Sequence, residues 1–321
     1  MNILITSAGR RVSLVRAFKK ELVKYFPEGK VLTADMNPFL SSACHISDRF
    51  FQVPGAKDEL YCESLIDICK KNNIKLLIPT IDTELLAIAE NKENFKKNGI
   101  EPIVSDADVV SQCLDKRKTL IYFDSIGFPG TKETDINNPE FPFFAKPVDG
   151  SSSIGIQLIR ESSQITDALI DDRKMMFLDY LSPEEYSEVT IDLYFDKHSY
   201  LKCAVPRERI EVRSGEVSKS VTRKDDLYNL VCSKFSFCMG FIGPVNLQVF
   251  RKRNSNEVFG IEINPRFGGG YPLSYLARAN YPEMIIREYL FKEDLPFFND
   301  WIVNLLMLRY DDEIIVHDYK G

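Results

Sequence analysis

Paired cysteines and clustered histidines are both missing from this sequence. The seven cysteines are odd in number and scattered, with no C-x-x-C spacing, and the three histidines lie far apart. A disulfide-stapled domain and a Cys/His zinc site are therefore not expected. The cysteine pattern instead favours reduced, mostly buried thiols in a cytoplasmic protein.

Long apolar runs and long basic runs are also missing. No stretch approaches the roughly 20 apolar residues of a membrane-spanning helix. The apolar start is too short for a signal peptide, and its cations follow it rather than precede it. The net charge of −6 argues against a nucleic-acid-binding surface. We therefore expect a globular protein of two or three packed units, with neither membrane nor nucleic acid as a partner.

The first third of the chain lacks a G-x-G-x-x-G fingerprint, although it alternates strands with helices. Strands are predicted at residues 2–7, 31–34, 75–79 and near Ile103, with helices between them that include residues 59–71 and about 82–98. Such alternation indicates a parallel α/β sheet, which binds ligands at the carboxyl ends of its strands. Residues at those ends are Gly9, Asp35, Thr80, Asp82 and Glu84. Without the fingerprint, the turn after the first strand is at least as well explained as a plain strand-to-helix connection.

The pattern changes near residue 113, and the second part is predicted to be α+β with mostly antiparallel strands. Helices are predicted at about 115–127, 162–171, 226–239, 274–279 and 282–290. Strands are predicted at 141–146, 155–159, 175–180, 188–195, 200–205, 243–251, 258–263, 304–310 and 313–317. Residues 253–257 have the composition of a hairpin turn.

A glycine- and serine-rich loop lies between two of these strands, from Lys146 to Gly155. Such a loop can turn several backbone N–H groups and hydroxyls toward phosphate oxygens. Lys146, at the end of the first strand, would place an ammonium beside the same phosphates. A plain hairpin loop with a surface lysine would have the same composition, so the loop alone leaves both interpretations open.

A second pattern, Glu262-x-Asn264-x-Arg266, closes the strand at 258–263. Alternation places Glu262 and Asn264 on one face, where their oxygens suit Mg²⁺. Gln248 lies in the preceding strand, which the hairpin turn would pair with this one, so it could supply a third oxygen. Arg266 adds a fixed cation suited to a transferring phosphoryl group.

These elements, in this order, resemble the ATP-grasp superfamily, in its carbamoyl-phosphate-synthase-like branch of carboxylate–amine ligases. Lys-Pro-x-x-Gly-x-x-Ser-x-Gly is matched at residues 146–155, and Glu-x-Asn-x-Arg at 262–266. The resemblance implies a Rossmann-like pre-ATP-grasp domain at 1–112 with a parallel α/β sheet. An α+β ATP-grasp domain would follow, with a small subdomain at 113–181 and a large subdomain at 182–321 that holds the metal site.

The resemblance also implies roles for single residues in binding ATP. Lys116 and Lys146 would contact the phosphates, the hinge after the third small-subdomain strand would contact adenine, and Glu188 would take the ribose. In this chain the segment before Glu188 is stretched, so Glu185 competes with it, and Asp179 stands where the hinge often carries Glu. The full nucleotide set is Lys116, Lys146, Ser151, Ser152, Ser153, Gly155, Asp179, Tyr180, Leu181 and Glu188.

The implied reaction is ATP-dependent amide formation through an acyl phosphate, with release of ADP and phosphate. Gln248, Glu262 and Asn264 would bind Mg²⁺ or Mn²⁺, and Arg266 and Lys146 would be catalytic. The partners would be a small-molecule carboxylate and an amine, and family members are often homodimers. An ATP-grasp kinase without ligation, or a nucleotide-binding regulatory protein, is the alternative.

A cluster of arginines near residue 210 could collect an anionic substrate, and we expect Arg207 and Arg213 to contribute. Alternating glutamates allow a solvated ribbon instead. Gly269, within three consecutive glycines, would let the backbone approach the substrate. A simple strand-to-helix connection would also explain these glycines.

Overall fold

The computed structural model describes residues 1–149, 155–213 and 215–319. Its first sheet is parallel, with strand order β3-β2-β1-β4-β5. The strands are β1 (Asn2–Thr6), β2 (Lys30–Asp35), β3 (Arg49–Gln52), β4 (Ile74–Ile78) and β5 (Glu101–Pro102). The predicted parallel sheet is confirmed, and its central strands β1, β2 and β4 are nearly continuous apolar runs that are largely buried, as in sheets covered on both faces.

The helices of this part are α1 (Val12–Tyr25), α2 (Ser42–Ile46), α3 (Tyr61–Lys71), α4 (Asp82–Glu90), α5 (Lys92–Lys97) and α6 (Ala107–Leu114). The single helix predicted at 82–98 is wrong, since it is divided at Asn91. The Asn91 side chain donates a hydrogen bond to the Ala87 carbonyl at 3.0 Å. This side chain competes with the helical backbone pattern, as asparagine commonly does at helix ends.

A small antiparallel sheet follows, with strand order β7-β6-β8. Its elements are α7 (Lys116–Ser125), β6 (Phe143–Pro147), β7 (Gln157–Ile159), α8 (Asp167–Asp171) and β8 (Met175–Asp179). The helix predicted at 162–171 is a 3₁₀ turn at Ser162–Gln164 followed by the short α8. Asp115 caps α7 by accepting hydrogen bonds from two backbone N–H groups, so the position of Lys116 at the start of the helix is fixed.

The large sheet is antiparallel, with order β13-β12-β9-β10-β11-β14. Its strands are β9 (Tyr186–Phe195), β10 (Leu201–Arg213), β11 (Glu216–Thr222), β12 (Gly243–Lys252), β13 (Val258–Asn264) and β14 (Leu306–Leu308). Its helices are α9 (Asp226–Lys234), α10 (Tyr271–Leu276) and α11 (Tyr281–Leu290). The hairpin between β12 and β13 is confirmed, and β11 is a strand that the sequence analysis did not predict.

The last predicted strand, at 313–317, is wrong. In the described residues this segment forms no strand, and Ile315 is 72% exposed. The large sheet ends at β14, which pairs with β11 over three residues, and no described strand pairs with 313–317. An apolar alternation without a pairing partner does not make a strand.

The first and last parts of the chain share one core, centred on α1. The Phe18 and Phe267 rings meet edge to face with centroids 5.9 Å apart. Further along the helix, the Tyr25 hydroxyl donates to Glu283 at 2.8 Å. These contacts hold the carboxyl end of the parallel sheet against the segment that follows β13.

Candidate active site

Three oxygen-bearing side chains lie on one face of the β12–β13 hairpin, those of Gln248, Glu262 and Asn264. Gln248 pairs directly with Glu262, and Asn246 pairs with Asn264. Side chains opposite each other in an antiparallel pair lie on the same face, about 5 Å apart. The Asn264 amide also donates to Glu262 Oε1 at 3.0 Å, which leaves the Asn264 carbonyl oxygen available. The set of one carboxylate and two amide oxygens fits a hard divalent cation such as Mg²⁺.

Amide ligands also explain why carboxylate clusters do not mark this site. Within residues 1–149, 155–213 and 215–319, no group of three or more His, Cys, Asp or Glu side chains could hold a metal. Glu262 is the only carboxylate in the proposed ligand set, so phosphate oxygens would have to supply further ligands. That is the usual way in which Mg²⁺ is held in phosphoryl-transfer sites.

Lys146 lies at the end of β6, close enough to Glu262 on β13 for the two charges to interact. We call β13 the metal strand, after its proposed ligands Glu262 and Asn264. The Lys146 side chain is only 9% exposed. Its pKa is lowered to about 8, mainly by burial and also by the neighbouring Lys116, while Glu262 acts in the opposite direction. The N–H of Lys116 donates to the Val148 carbonyl at 3.0 Å, which ties α7 to the residues after β6. Two lysines and the metal strand therefore converge, as nucleotide phosphates require.

A close contact between β13 and α7 supports this convergence. A Cβ on Gly260 would lie 2.5 Å from the Phe123 ring, so only glycine lets the helix approach the strand here. The Gly260 carbonyl accepts a hydrogen bond from the N–H of Thr131 at 3.1 Å. Gly260 thereby links the helix that begins with Lys116 to the strand that carries Glu262.

Glu188, the predicted ribose ligand, lies on the same face of the large sheet as Gln248. Burial raises the pKa of Glu188, while Arg209 lowers it through an ion pair and a hydrogen bond. Asp179 ends β8 and accepts a hydrogen bond from the Thr134 hydroxyl at 2.8 Å. Tyr180 and Leu181 follow it directly outside the strand. The predicted hinge thus begins at the last residue of β8 and continues into residues that lie outside the strand.

Part of the predicted phosphate loop lies outside the described residues, namely Ser151, Ser152 and Ser153. Gly155, at the end of the loop, is described. Its φ of +77° is in the left-handed region, and a Cβ there would lie 3.0 Å from Pro147. Both features favour glycine at this position.

Arg266 makes a contact that the sequence analysis did not predict. Its Nε donates to Asp82 Oδ1 at 2.9 Å and its Nη2 to Asp82 Oδ2 at 2.6 Å. Asp82 begins α4 in the first part of the chain, 184 residues away. The position of Asp82 at a strand end was a signal for a site residue, but nothing in the local pattern identified its partner.

Arg11 is a second arginine at this junction. Its Nη1 donates to the Phe267 carbonyl at 3.3 Å and its Nη2 to the Thr80 carbonyl at 3.0 Å. Burial lowers the pKa of Arg11 to about 10, and the nearby Arg266 contributes in the same direction. The first β–α turn therefore contributes a cation to the site, although it lacks a dinucleotide fingerprint.

The structure separates the arginines that we expected to bind substrate. Arg207 is 1% exposed, and its Nε and Nη2 donate to Asp192 at 2.7 and 3.1 Å. Arg213 lies at the surface and pairs with Asp311. Arg207 is thus enclosed in a buried polar cluster, because the carboxylate that neutralises it lies on the neighbouring strand β9. Arg207 and Arg213 therefore lie in different environments, and Arg207 Nη1 is buried with no hydrogen-bond partner among the described residues.

The three consecutive glycines cover this buried cluster. A Cβ on Gly270 would lie 2.1 Å from Arg207 Nη1, so Gly270 can only be glycine while Arg207 is in place. The Gly269 carbonyl accepts a hydrogen bond from Arg309 Nη2 at 2.7 Å. The segment is therefore a fixed turn between the metal strand and α10.

Two family profiles match separate parts of the chain. Residues 3–103 match the PylC-like N-terminal domain. Residues 171–302 match the family described as ATP-grasp in the biosynthetic pathway with Ter operon. The fold agrees with both matches, and the chain carries a PylC-like N-terminal domain followed by an ATP-grasp domain.

Curated relatives include ligases and a carboxylase. The 3-methyl-D-ornithine–L-lysine ligase of Methanosarcina barkeri is 30% identical over 115 residues, which cover 34% of this chain and 30% of the ligase. Pyruvate carboxylase of Staphylococcus aureus is 26% identical over 240 residues, or 66% of this chain and 20% of the carboxylase. The matches therefore cover a third or less of the length of these two relatives.

Solved structures share the fold across nearly the whole chain. The biotin carboxylase domain of Hydrogenobacter thermophilus 2-oxoglutarate carboxylase, solved as a dimer with MgADP, ADP and bicarbonate, has a TM-score of 0.72. It is 12% identical, and the match covers 95% of this chain and 73% of that one. N5-carboxyaminoimidazole synthetase of Staphylococcus aureus has a TM-score of 0.67 at 17% identity, with 92% and 78% covered. Of the helices that the structure describes, none has the length and apolar character needed to span a membrane.

Proposed function

We propose that this protein is an ATP-dependent carboxylate–amine ligase that forms an amide through an acyl phosphate. The observation that carries the proposal is the convergence of Lys146, Glu262 and Arg266 at one place. Lys146 is charged against the cost of burial beside the metal strand. Arg266 follows that strand by two residues and is held by the N-terminal domain. This arrangement would allow nucleotide phosphates, metal and acceptor to bind next to one another.

The proposed ATP site spans the small and large sheets. Lys116, Lys146 and the loop at 150–155 would bind the phosphates, residues 179–181 the adenine edge, and Glu188 the ribose. Gln248, Glu262 and Asn264 would hold Mg²⁺ or Mn²⁺, which supplies charge neutralisation at the phosphate oxygens when bound. We retain the proposed boundaries of 1–112, 113–181 and 182–321 for the three units.

In the proposed reaction, a carboxylate oxygen of the acid attacks the γ-phosphorus of ATP, and the bond to the β-phosphate oxygen breaks to release ADP. The amine nitrogen then attacks the acyl carbon, the carbon–oxygen bond to phosphate breaks, and the nitrogen loses a proton. Lys146 would stabilise the charge on the phosphates, and Arg266 the charge on the transferring group and on the acyl phosphate. Positioning suffices for both steps, so no nucleophilic side chain is required.

The partners would be a small-molecule acid and a small-molecule amine, and a homodimer remains part of the proposal. We place the protein in the cytoplasm, since the described cysteines are free and six of the seven are buried. An amino acid as one substrate would agree with the name of the Methanosarcina relative.

The test is ADP release from MgATP in the presence of paired acids and amines. We expect at least one pair to give ADP, with loss of about 100-fold or more in Glu262→Gln. Glu257→Gln is the matched control, because Glu257 is an exposed carboxylate in the turn before the same strand. Equal rates for Glu262→Gln and wild type would contradict the proposal, as would ADP release that requires no amine and leaves a stable phosphorylated acid.

A further inference from the structure

The guanidinium of Arg266 is held by a carboxylate that belongs to a different part of the chain. Asp82 binds it through two parallel hydrogen bonds of 2.9 and 2.6 Å, and both side chains are largely buried, at 15% and 24% exposure. Bidentate pairs of this kind fix the plane of the guanidinium as well as its position. The contact therefore sets the direction in which Arg266 points.

The remaining donors of Arg266 are limited in number and direction. A guanidinium has five N–H groups. Two are used by Asp82 and a third by the Phe267 carbonyl, at 3.1 Å from Nη1. The contacts among the described residues leave one N–H on each terminal nitrogen, and two such groups can bind two oxygens of one phosphoryl or carboxylate group.

Asp82 is itself held rigidly at the carboxyl end of β4. Glu84 accepts hydrogen bonds from the N–H of Thr80 at 2.6 Å and from that of Ile81 at 3.1 Å. The Ser7 hydroxyl also donates to Glu84, at 2.9 Å. The hydrogen bonds to Glu84 thus hold the turn that precedes Asp82. The N-terminal sheet therefore fixes the position of Asp82 and, through it, the orientation of Arg266.

We propose that Asp82 is a positioning residue for phosphoryl transfer, which aims the two remaining donors of Arg266 at the transferring group. This inference rests on the proposed function. In this role Asp82 would act through its two hydrogen bonds with Arg266 and not by binding substrate itself. Without the Asp82 carboxylate, Arg266 would lie beside the like charge of Arg11 without a counter-ion, and its orientation would be lost.

The role proposed for Asp82 differs from that of an ordinary contact between domains. Tyr25 and Glu283 make another such contact, a hydrogen bond of 2.8 Å between α1 and α11. Glu283 is outside the proposed machinery and has the same kind of side chain. Glu283→Gln therefore measures what the loss of a domain contact costs by itself.

The experiment compares Asp82→Asn, Asp82→Glu and Glu283→Gln with wild type in the ADP assay. A misplacement of about 1 Å can cost about 100-fold in rate. We expect Asp82→Asn to lower kcat by about 10- to 100-fold, with the KM for ATP and the Kd for MgADP within about twofold of wild type. Asp82→Glu should restore part of the rate, and Glu283→Gln should keep kcat within about twofold. An unchanged kcat in Asp82→Asn, or equal losses in Asp82→Asn and Glu283→Gln, would overturn the inference.

A second measurement keeps the two proposals distinguishable. In protein labelled with ¹⁵N-arginine, the Nε–H signal of Arg266, assigned by its loss in Arg266→Lys, should exchange slowly with water. It should exchange faster in Asp82→Asn and not in Glu283→Gln. Slow exchange in Asp82→Asn would overturn the inference even without an assay. If wild type released no ADP with any substrate pair, the ligase proposal would fall while this measurement still tested Asp82.

Discussion

Replacing Lys146 by methionine should stabilise the folded protein while it removes nucleotide binding. Methionine has nearly the length of lysine and lacks the ammonium. Lys146 is 9% exposed, and burial is the largest cause of its lowered pKa, ahead of the repulsion from Lys116, while Glu262 acts in the opposite direction. The burial of this charge in the absence of ATP is therefore only partly compensated. We expect Lys146 to lower the stability of the folded protein without nucleotide and to contribute to nucleotide binding.

The size of the effect follows from the pKa of Lys146, which burial lowers from 10.5 to about 8. At about 1.36 kcal/mol per pH unit, the difference corresponds to about 3 kcal/mol. Because the folded-state pKa lies below the unfolded-state value, this cost is fully present below pH 8. It disappears as the pH rises from about 8 to 10.5.

The assay is urea unfolding of Lys146→Met and wild type at pH 7 and at pH 10. The variant should be more stable by up to about 3 kcal/mol at pH 7, and the gain should shrink at pH 10. Lys70→Met is the control, because Lys70 is exposed on α3 and should show neither effect. The Kd for MgADP should rise in Lys146→Met alone. Equal or lower stability of this variant at pH 7, or a gain that does not depend on pH, would refute the reasoning.

Two further predictions concern the metal strand and the glycine turn. Gln248→Glu should lower the melting temperature without Mg²⁺, because two like charges would then face each other across the β12–β13 pair, and raise it with Mg²⁺. Thermal melts with and without Mg²⁺ test both changes in melting temperature. A melting temperature of the variant that does not depend on Mg²⁺ would contradict the role of Gln248 as a metal ligand. Gly270→Ala should cost about 1–3 kcal/mol, since the new Cβ would overlap Arg207. Gly269→Ala should cost less, since its Cβ would make an ordinary contact at 3.5 Å, and a urea titration giving equal losses would contradict the packing argument.

The sequence predicts the strand at 258–263 and the facing of its side chains well, because strand periodicity is a local property. Alternation alone places Glu262 and Asn264 on one face, and the polar turn at 253–257 defines which strand carries Gln248. The pairing of Gln248 with Glu262 also depends on a register shift between Gln248 and Val249, because the register next to the turn would otherwise place Ile261 opposite Gln248. The same reasoning fails at 313–317, where alternation occurs but the described residues provide no strand that pairs with it.

Contacts between distant segments could not be predicted in this way. Asp82 and Arg266 are 184 residues apart, and their pairing depends on how α1 packs against the segment after β13. Arg207 was expected at a substrate surface because its neighbours are charged. The structure buries it, since Asp192 on the adjacent strand supplies the compensating carboxylate. A single sequence shows which residues carry charge, but it does not show which of them pair with each other.

The central claim is that an acyl phosphate forms at Arg266 before the amine attacks. It is tested most directly with an acid substrate whose carboxylate oxygens are ¹⁸O, incubated with MgATP and the amine. Our account predicts one ¹⁸O atom in each phosphate released and one fewer ¹⁸O in the amide, with both signals lost in Glu262→Gln. Unlabelled phosphate released alongside amide would show that no acyl phosphate forms, and the account would be wrong.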